Sequence, residues 1–328
     1  MRNKIVMVVL SVALVVSLVL VGCAPKAAEW PQQDIRVICP WGVGGGTDGI
    51  TRNIAHYTEK YLPVHMYVEN LTGAVTAIGA YDVMSAKPDG YTVASITWDT
   101  VTTCPRKKEI EGYDLNKLYY LCNITTEAYG LVARTGGAWE NLDDLIADAK
   151  KRPGEITCAT CGLGGVSHIY LMPLEDLLGI SLRYVPYDGA GAQMESLLSG
   201  ECEVISLSLS DAAPIFESGD ALGIAVAGVA RNPLYPDCPT FKELGYDIVW
   251  GSFNTMVTTA GTPQDRLKIL EDAFDKGYHD QGFLDWTKTT GVEAAWMNHE
   301  ETVKFVSGIC ETYDTLIAEL IAAGVVKE

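Results

Sequence analysis

The chain has 328 residues, with 24 basic and 42 acidic side chains and 48% hydrophobic residues. That length holds two domains and an ample core. The formal charge of −18 argues against nucleic acid and anionic membrane surfaces as partners.

The chain begins with an address, to be set apart from the fold. Arg2 and Lys4 give a positive start, 5–21 is continuously apolar, and Leu20-Val21-Gly22-Cys23 closes the stretch. The apolar run is short for a membrane span of about 20 residues. Its ending resembles a bacterial lipobox, in which the cysteine becomes the lipid-bearing first residue. The expectation is a signal peptide over 1–23, lipidation at Cys23 and a linker over 24–29. The protein then works outside the cytoplasm, on the periplasmic or outer face of the cell membrane. Without Arg2 and Lys4 it carries 22 basic against 42 acidic residues, a net of −20. The eight cysteines beyond Cys23 are scattered through a chain that needs no staples, so most read as small core residues.

Ile35, Val37 and Ile38 read as a buried strand, followed by Cys39-Pro40-Trp41-Gly42-Val43-Gly44-Gly45-Gly46-Thr47-Asp48. Apolar residues then recur at helical spacing from Thr47 to Leu62. Glycines let backbone approach a ligand, and free amides at a helix start favour an anion. No lysine follows these glycines, so a P-loop fails. Gly42-Val43-Gly44 begins like a dinucleotide fingerprint, but Thr47 holds the third glycine position. An extracytoplasmic address is also a poor place for NAD or ATP, and no cofactor or metal is expected.

Val64–Glu69 is a second strand, Ala77–Ala86 a helix and Tyr91–Ile96 a third strand, with Pro88-Asp89-Gly90 turning between the last two. Such βα units predict a mostly parallel sheet flanked by helices. Leu118–Val132 reads as two apolar runs broken at Thr125-Thr126-Glu127, as a strand pair crossing between domains would. A second βα series starts at Ile156 and carries its own glycine loop, Gly162 to Gly165. Asp211 reads as the N-cap of the next helix. Thr262-Pro263 reads as an N-cap with proline at the first helical position, and Asn298 with Glu301 as a capping box for the last helix, ending near Gly324. Two glycine loops, one in each half, are expected to face each other across a cleft.

Catalytic patterns are incomplete. Ser167 and His168 are adjacent, Ile169 breaks Gly-x-Ser-x-Gly, and His299-Glu300-Glu301 lacks the second histidine of a zinc protease helix. Cys158-Ala159-Thr160-Cys161 has a redox spacing with no second pair. His168, at a helix start beside a glycine loop, is the histidine to watch.

Six motifs in order resemble the substrate-binding proteins of tripartite tricarboxylate transporters, also called Bug proteins. They are Trp30-Pro31 with the Pro40–Asp48 loop, Val68-Glu69-Asn70-Leu71-Thr72-Gly73-Ala74, Pro88–Thr92, Gly162–His168, Val185–Gly189 and Ala260–Pro263. The resemblance implies an α/β, two-domain periplasmic-binding-protein type II-like fold with a ligand cleft between lobes. The lobes would be 30–126 plus 250–328, and 127–249. It further implies a monomeric, non-enzymatic lipoprotein that captures a small carboxylate and delivers it to membrane permease subunits. A ligand sensor coupled to a membrane receptor is the alternative, and a redox protein or hydrolase a more distant one. Carried over by motif, the ligand would meet Trp41, Gly44, Gly45, Gly46, Thr47, Asp48, Asn70, Gly73, Ala74 and Thr76. From later loops it would meet Thr97, Trp98, Asp99, Gly164, Ser167, His168, Tyr187, Asp188, Gly189, Leu207 and Ser208.

The chain departs from the family pattern at Trp41, Val43, Asp188 and Leu207, where phenylalanine, proline, lysine and aspartate are usual. An aspartate at 188 should repel a second carboxylate. The expected ligand therefore has one carboxylate plus a neutral or cationic group.

Overall fold

The computed structural model describes residues 30–322. The leader, Cys23 and the expected helix end near Gly324 lie outside the described residues. Residues up to Gln32 form one unit and those from Gln33 onward a second, to which the strands and helices below belong.

The apolar run at Ile35 becomes β1 (Ile35–Cys39), and the glycine loop leads into α1 (Gly46–Glu59). Next come β2 (Met66–Asn70), α2 (Ala77–Ser85) and β3 (Thr92–Ile96). β1 pairs in parallel with both β2 and β3, the arrangement expected of βα units. Two short helices follow, α3 (Trp98–Val101) and α4 (Thr103–Lys107), before the long strand β4 (Leu118–Arg134).

The second series contains α5 (Leu142–Ala149), β5 (Thr157–Thr160), α6 (Val166–Ile169), α7 (Leu171–Leu178) and β6 (Arg183–Pro186). It continues through α8 (Ala190–Ser199), β7 (Val204–Ser208), α9 (Ala213–Glu217) and β8 (Ala221–Val226). The chain then runs through β9 (Gly251–Thr259), α10 (Gln264–Tyr278), α11 (Gln281–Thr290), β10 (Ala294–Met297) and α12 (His299–Ala322).

β4 joins the two series. Its first part pairs antiparallel with β9 and β10, and its second part with β7 and β8. β5 lies parallel to β6 and β7. The expected break at Thr125-Thr126-Glu127 does not occur: the strand is continuous over 17 residues, with register slips against β9 before Cys122 and Thr125 and against β8 before Val132. Polar side chains survive there because β9 supplies partners. Asn254 Nδ2 donates to Thr125 Oγ1 at 3.0 Å, and Thr255 Oγ1 to Asn123 Oδ1 at 2.8 Å.

Two cap readings meet different fates. Asn298 and Glu301 form the reciprocal capping box, with amide-to-side-chain bonds of 3.1 and 3.0 Å. Thr262 does not cap α10: that helix starts at Gln264 with Pro263 in the cap position, and the Thr262 hydroxyl donates to the Thr259 carbonyl instead. All eight cysteines from Cys39 to Cys310 are free thiols, seven of them buried.

α1 and α10 pack at close range because residue 277 is glycine. A Cβ at that position would lie 2.7 Å from the Thr58 backbone, closer than real contacts allow. Gly277→Ala should therefore destabilise the protein by about 1–3 kcal/mol through overpacking. Urea unfolding is the check: a lower midpoint at unchanged slope is expected.

Candidate functional site

The first glycine loop does what its composition suggests: it brings bare backbone to the wall of a cavity. The cavity has a volume of about 470 Å³, and residues Trp41–Thr47 form one side of it. Gly44 takes φ +84°, a conformation that glycine adopts without strain. The loop is braced from behind. The Gly44 amide donates to Asp48 Oδ2 at 3.0 Å, and Asn70 Nδ2 donates to Asp48 Oδ1 at 2.8 Å and to the Trp41 carbonyl at 2.9 Å. Burial alone would raise the Asp48 pKa. The Arg52 bond, the Gly44 amide and Asn70 outweigh it and hold the carboxyl below its ordinary value. Trp41 Nε1 donates to Thr97 Oγ1 at 3.2 Å, which fixes the indole at the rim.

The opposite side comes from the second series, through Asp188–Ala192, Met194 and the segment from Ser210 to Glu217. Asp211, read from sequence as the cap of α9, has another role. The N-cap of α9 is Ala212, and Asp211 Oδ1 instead accepts the Gly46 amide at 2.9 Å, at the start of α1. A Cβ at position 46 would overlap this carboxylate. A matching contact runs the other way: Asp99 Oδ1 accepts the Val166 amide at 3.2 Å and the Thr103 hydroxyl at 3.0 Å. Each helix start is thus met by an aspartate from the other series.

β4 and β9 supply Glu127, Tyr129 and Ser252 to the lining, and α11 adds Trp286 and Thr290. Burial pushes the Glu127 carboxyl well above its usual range, with Asp211 and Glu293 adding repulsion. Burial also raises Asp211, and it raises Asp99 to about 6 against the bonds from Thr103 and Val166.

Of the residues named from sequence, Trp41, Gly44, Gly45, Gly46, Thr47, Thr97, Asp99, Asp188 and Gly189 line this cavity. Asp48 and Asn70 support its wall from behind. The others lie elsewhere. Thr76 is buried against Thr100 and Cys104, and Trp98 packs edge-on to Tyr313. Leu207 is core, and Ser208 binds Ser210. Tyr187 meets the Cys202 thiol. Gly73 and Ala74 precede α2 in left-handed conformations. The second glycine loop does not face the first across the cavity. Its Gly164 amide donates to His168 Nδ1 at 3.0 Å, Ser167 Oγ accepts the Cys161 amide at 2.7 Å, and the Gly164 carbonyl accepts the Thr103 hydroxyl at 3.1 Å. Glu127, Tyr129, Asp211 and Trp286 carried no local motif. Only the register of β4 and the approach of the two series reveal them.

Cys161 lines the cavity, but its thiol donates to Gln193 Oε1 at 2.7 Å. Burial, with Asp211 and Asp99 nearby, pushes its pKa well up and leaves it a poor nucleophile. A wider hollow of about 650 Å³ between α7 and α12 touches neither glycine loop. Among the described residues no His, Cys, Asp and Glu group could hold a metal ion, and no helix is long and apolar enough to cross a membrane.

Residues 50–321 match the family described as "Tripartite tricarboxylate transporter family receptor". The chain belongs to that family. This receptor is 29% identical over 296 residues to the Cupriavidus necator "UPF0065 protein in gbd 5'region", covering 90% of each chain. It shares its fold with the periplasmic binding protein BugD, at 27% identity and a TM-score of 0.82, over 91% of this chain and 100% of that one. A Polaromonas TctC solute-binding protein gives 27% identity and a TM-score of 0.68, over 89% and 100%. The receptor thus has the two-lobed α/β fold of periplasmic solute-binding proteins, with its cleft between the lobes.

His168 of the receptor carries a pH signature. It is 6% exposed, its Nδ1 accepts a backbone amide, and burial lowers its pKa to about 4. The unfolded chain, with an ordinary histidine pKa near 6.5, binds the proton more readily. Stability from this residue is therefore fully present above about pH 6.5 and is lost as pH falls toward 4, by at most about 3 kcal/mol. Asp99, raised in the fold, works in the opposite direction. The wild-type stability advantage over His168→Gln should accordingly shrink between pH 7 and pH 4.5. Denaturant unfolding at both pH values checks it, and a constant difference would refute it.

Proposed function

We propose that this receptor captures a small organic acid in the 470 Å³ cavity and delivers it to the permease subunits of a tripartite tricarboxylate-type transporter. The observation that supports an acid is the wall of bare loop backbone at the start of α1. There the Thr47 amide has no acceptor among the described residues. The lobes are 30–126 with 250–328, and 127–249, and they close on the ligand about the strands that join them. The protein is a monomer that turns nothing over, held at the membrane by acyl chains on Cys23.

A thermal-shift screen over mono-, di- and tricarboxylates and aromatic acids tests the capture reading, with calorimetry on each hit. An acid at 100 times its Kd stabilises the fold by about 2.7 kcal/mol. Gly45→Val should then abolish that binding. Residue 45 lines the cavity, and an added Cβ meets nothing closer than the Gly42 carbonyl at 3.5 Å, so folding survives while the ligand loses its space. Unchanged affinity in the variant would show that the loop is only a turn.

The anchor has its own test. Cys23→Ser should no longer incorporate a palmitate analogue on metabolic labelling, and the protein should leave the membrane fraction. Continued labelling of the variant rules out lipidation at Cys23.

A further inference from the structure

The cavity proposed to receive an organic acid is itself acidic. Asp99, Glu127, Asp188, Asp211 and Glu217 line it, and no lysine, arginine or histidine does so among the described residues. Two polar groups in its lining have hydrogen-bonding capacity to spare. Tyr129 is 7% exposed, and its hydroxyl makes no hydrogen bond among the described residues. Glu127 is 6% exposed; one oxygen accepts a long bond of 3.4 Å from Asn254 Nδ2, and the other has no partner. Glu127 and Tyr129 are two apart on β4, so both side chains leave the same face of the strand.

Both groups line the open space of the cavity, where a ligand can meet them. A ligand group that suits both donates to Glu127 and interacts favourably with several carboxyl groups. A second carboxylate on the ligand would add to the repulsion. An organic ammonium group meets every requirement: it donates three hydrogen bonds, favours the ionised form of the carboxyl groups it touches and lies favourably beside Tyr129, Trp41 and Trp286.

We propose that Glu127, Asp211 and the Tyr129 hydroxyl form a seat for a protonated amine, so that the acid captured here is an aminocarboxylate. The inference rests on the organic-acid reading and specifies the other end of the ligand. The loop backbone takes the carboxylate, and the β4 floor takes the ammonium.

The seat couples binding to protons. Glu127 faces Asp211 and Glu293, Tyr129 faces Asp99, Asp211, Glu127 and Cys161, and the cation that reaches Asp99 is Lys107. With the cavity empty, burial favours the protonated forms of Glu127, Asp211 and Asp99. An arriving ammonium releases those protons, whereas a ligand bearing only carboxylates retains or takes up protons.

The test compares straight-chain probes of three to eight carbons: ω-amino acids, the matching dicarboxylates, monocarboxylates and alkylamines. Calorimetry at pH 6 in two buffers of different ionisation enthalpy reports affinity and proton release together. At one chain length or more, the ω-amino acid should bind at least tenfold tighter than the monocarboxylate and release protons. Glu127→Gln and Tyr129→Phe should each cut the affinity for the ω-amino acid at least tenfold and so erase that advantage. Folding of each variant is checked by its urea unfolding midpoint.

Binding of dicarboxylates in preference to ω-amino acids at every length overturns the ammonium seat and leaves the organic-acid reading standing. Binding of alkylamines without any carboxylate requirement supports the seat and overturns the organic-acid reading. Absence of binding by every amine-bearing probe overturns the seat.

Discussion

Free amides at a helix start must find acceptors, and in this receptor two of them find aspartates from remote parts of the chain. Asp211 reaches Gly46 across 165 residues, and Asp99 reaches Val166 across 67. The two contacts run in opposite directions between the two βα series. They bring the first glycine loop against the Ser210–Glu217 segment, and they leave carboxyl groups in the cavity that results. The exchange buries both aspartates, and that burial raises their pKa values against the lowering effect of the amide bonds they accept.

β4 makes the exchange geometrically possible. It pairs with β9 and β10 over its first part and with β7 and β8 over its second. Thr125 and Glu127 lie near the end of the first part, with Asn254 of β9 bonded to both. Of this polar stretch Glu127 reaches the cavity, while Thr125 is satisfied by Asn254 of β9.

The βα units were readable from their residues because each carries local signals: apolar runs of strand length, glycine and proline turns, helical spacing. The Asn298–Glu301 box was readable for the same reason, since both partners lie within one turn. The first glycine loop announced itself through an excess of glycine. What sequence reading missed is long-range. Asp211 looks like a cap for its own helix, because nothing local shows Gly46 arriving. Thr125-Thr126-Glu127 looks like a break, because a polar residue paired across a sheet is indistinguishable in sequence from one in a loop. The second glycine loop resembles the first in composition, yet its Gly164 amide is taken up by His168 and the Val166 amide by Asp99.

The free cysteines impose a condition on how the protein is made. Eight thiols in a chain from an extracytoplasmic family are eight opportunities for wrong cross-links while it is unfolded. Burial ends that exposure: Cys104 and Cys238 are each pushed up to about 12, and Cys122, Cys158 and Cys161 are raised as well. Thiol exchange proceeds through the thiolate, so these five buried thiols are slow to exchange in the folded chain. Maturation is then a race between collapse of the core and oxidation, and the native fold is its own protection against scrambling.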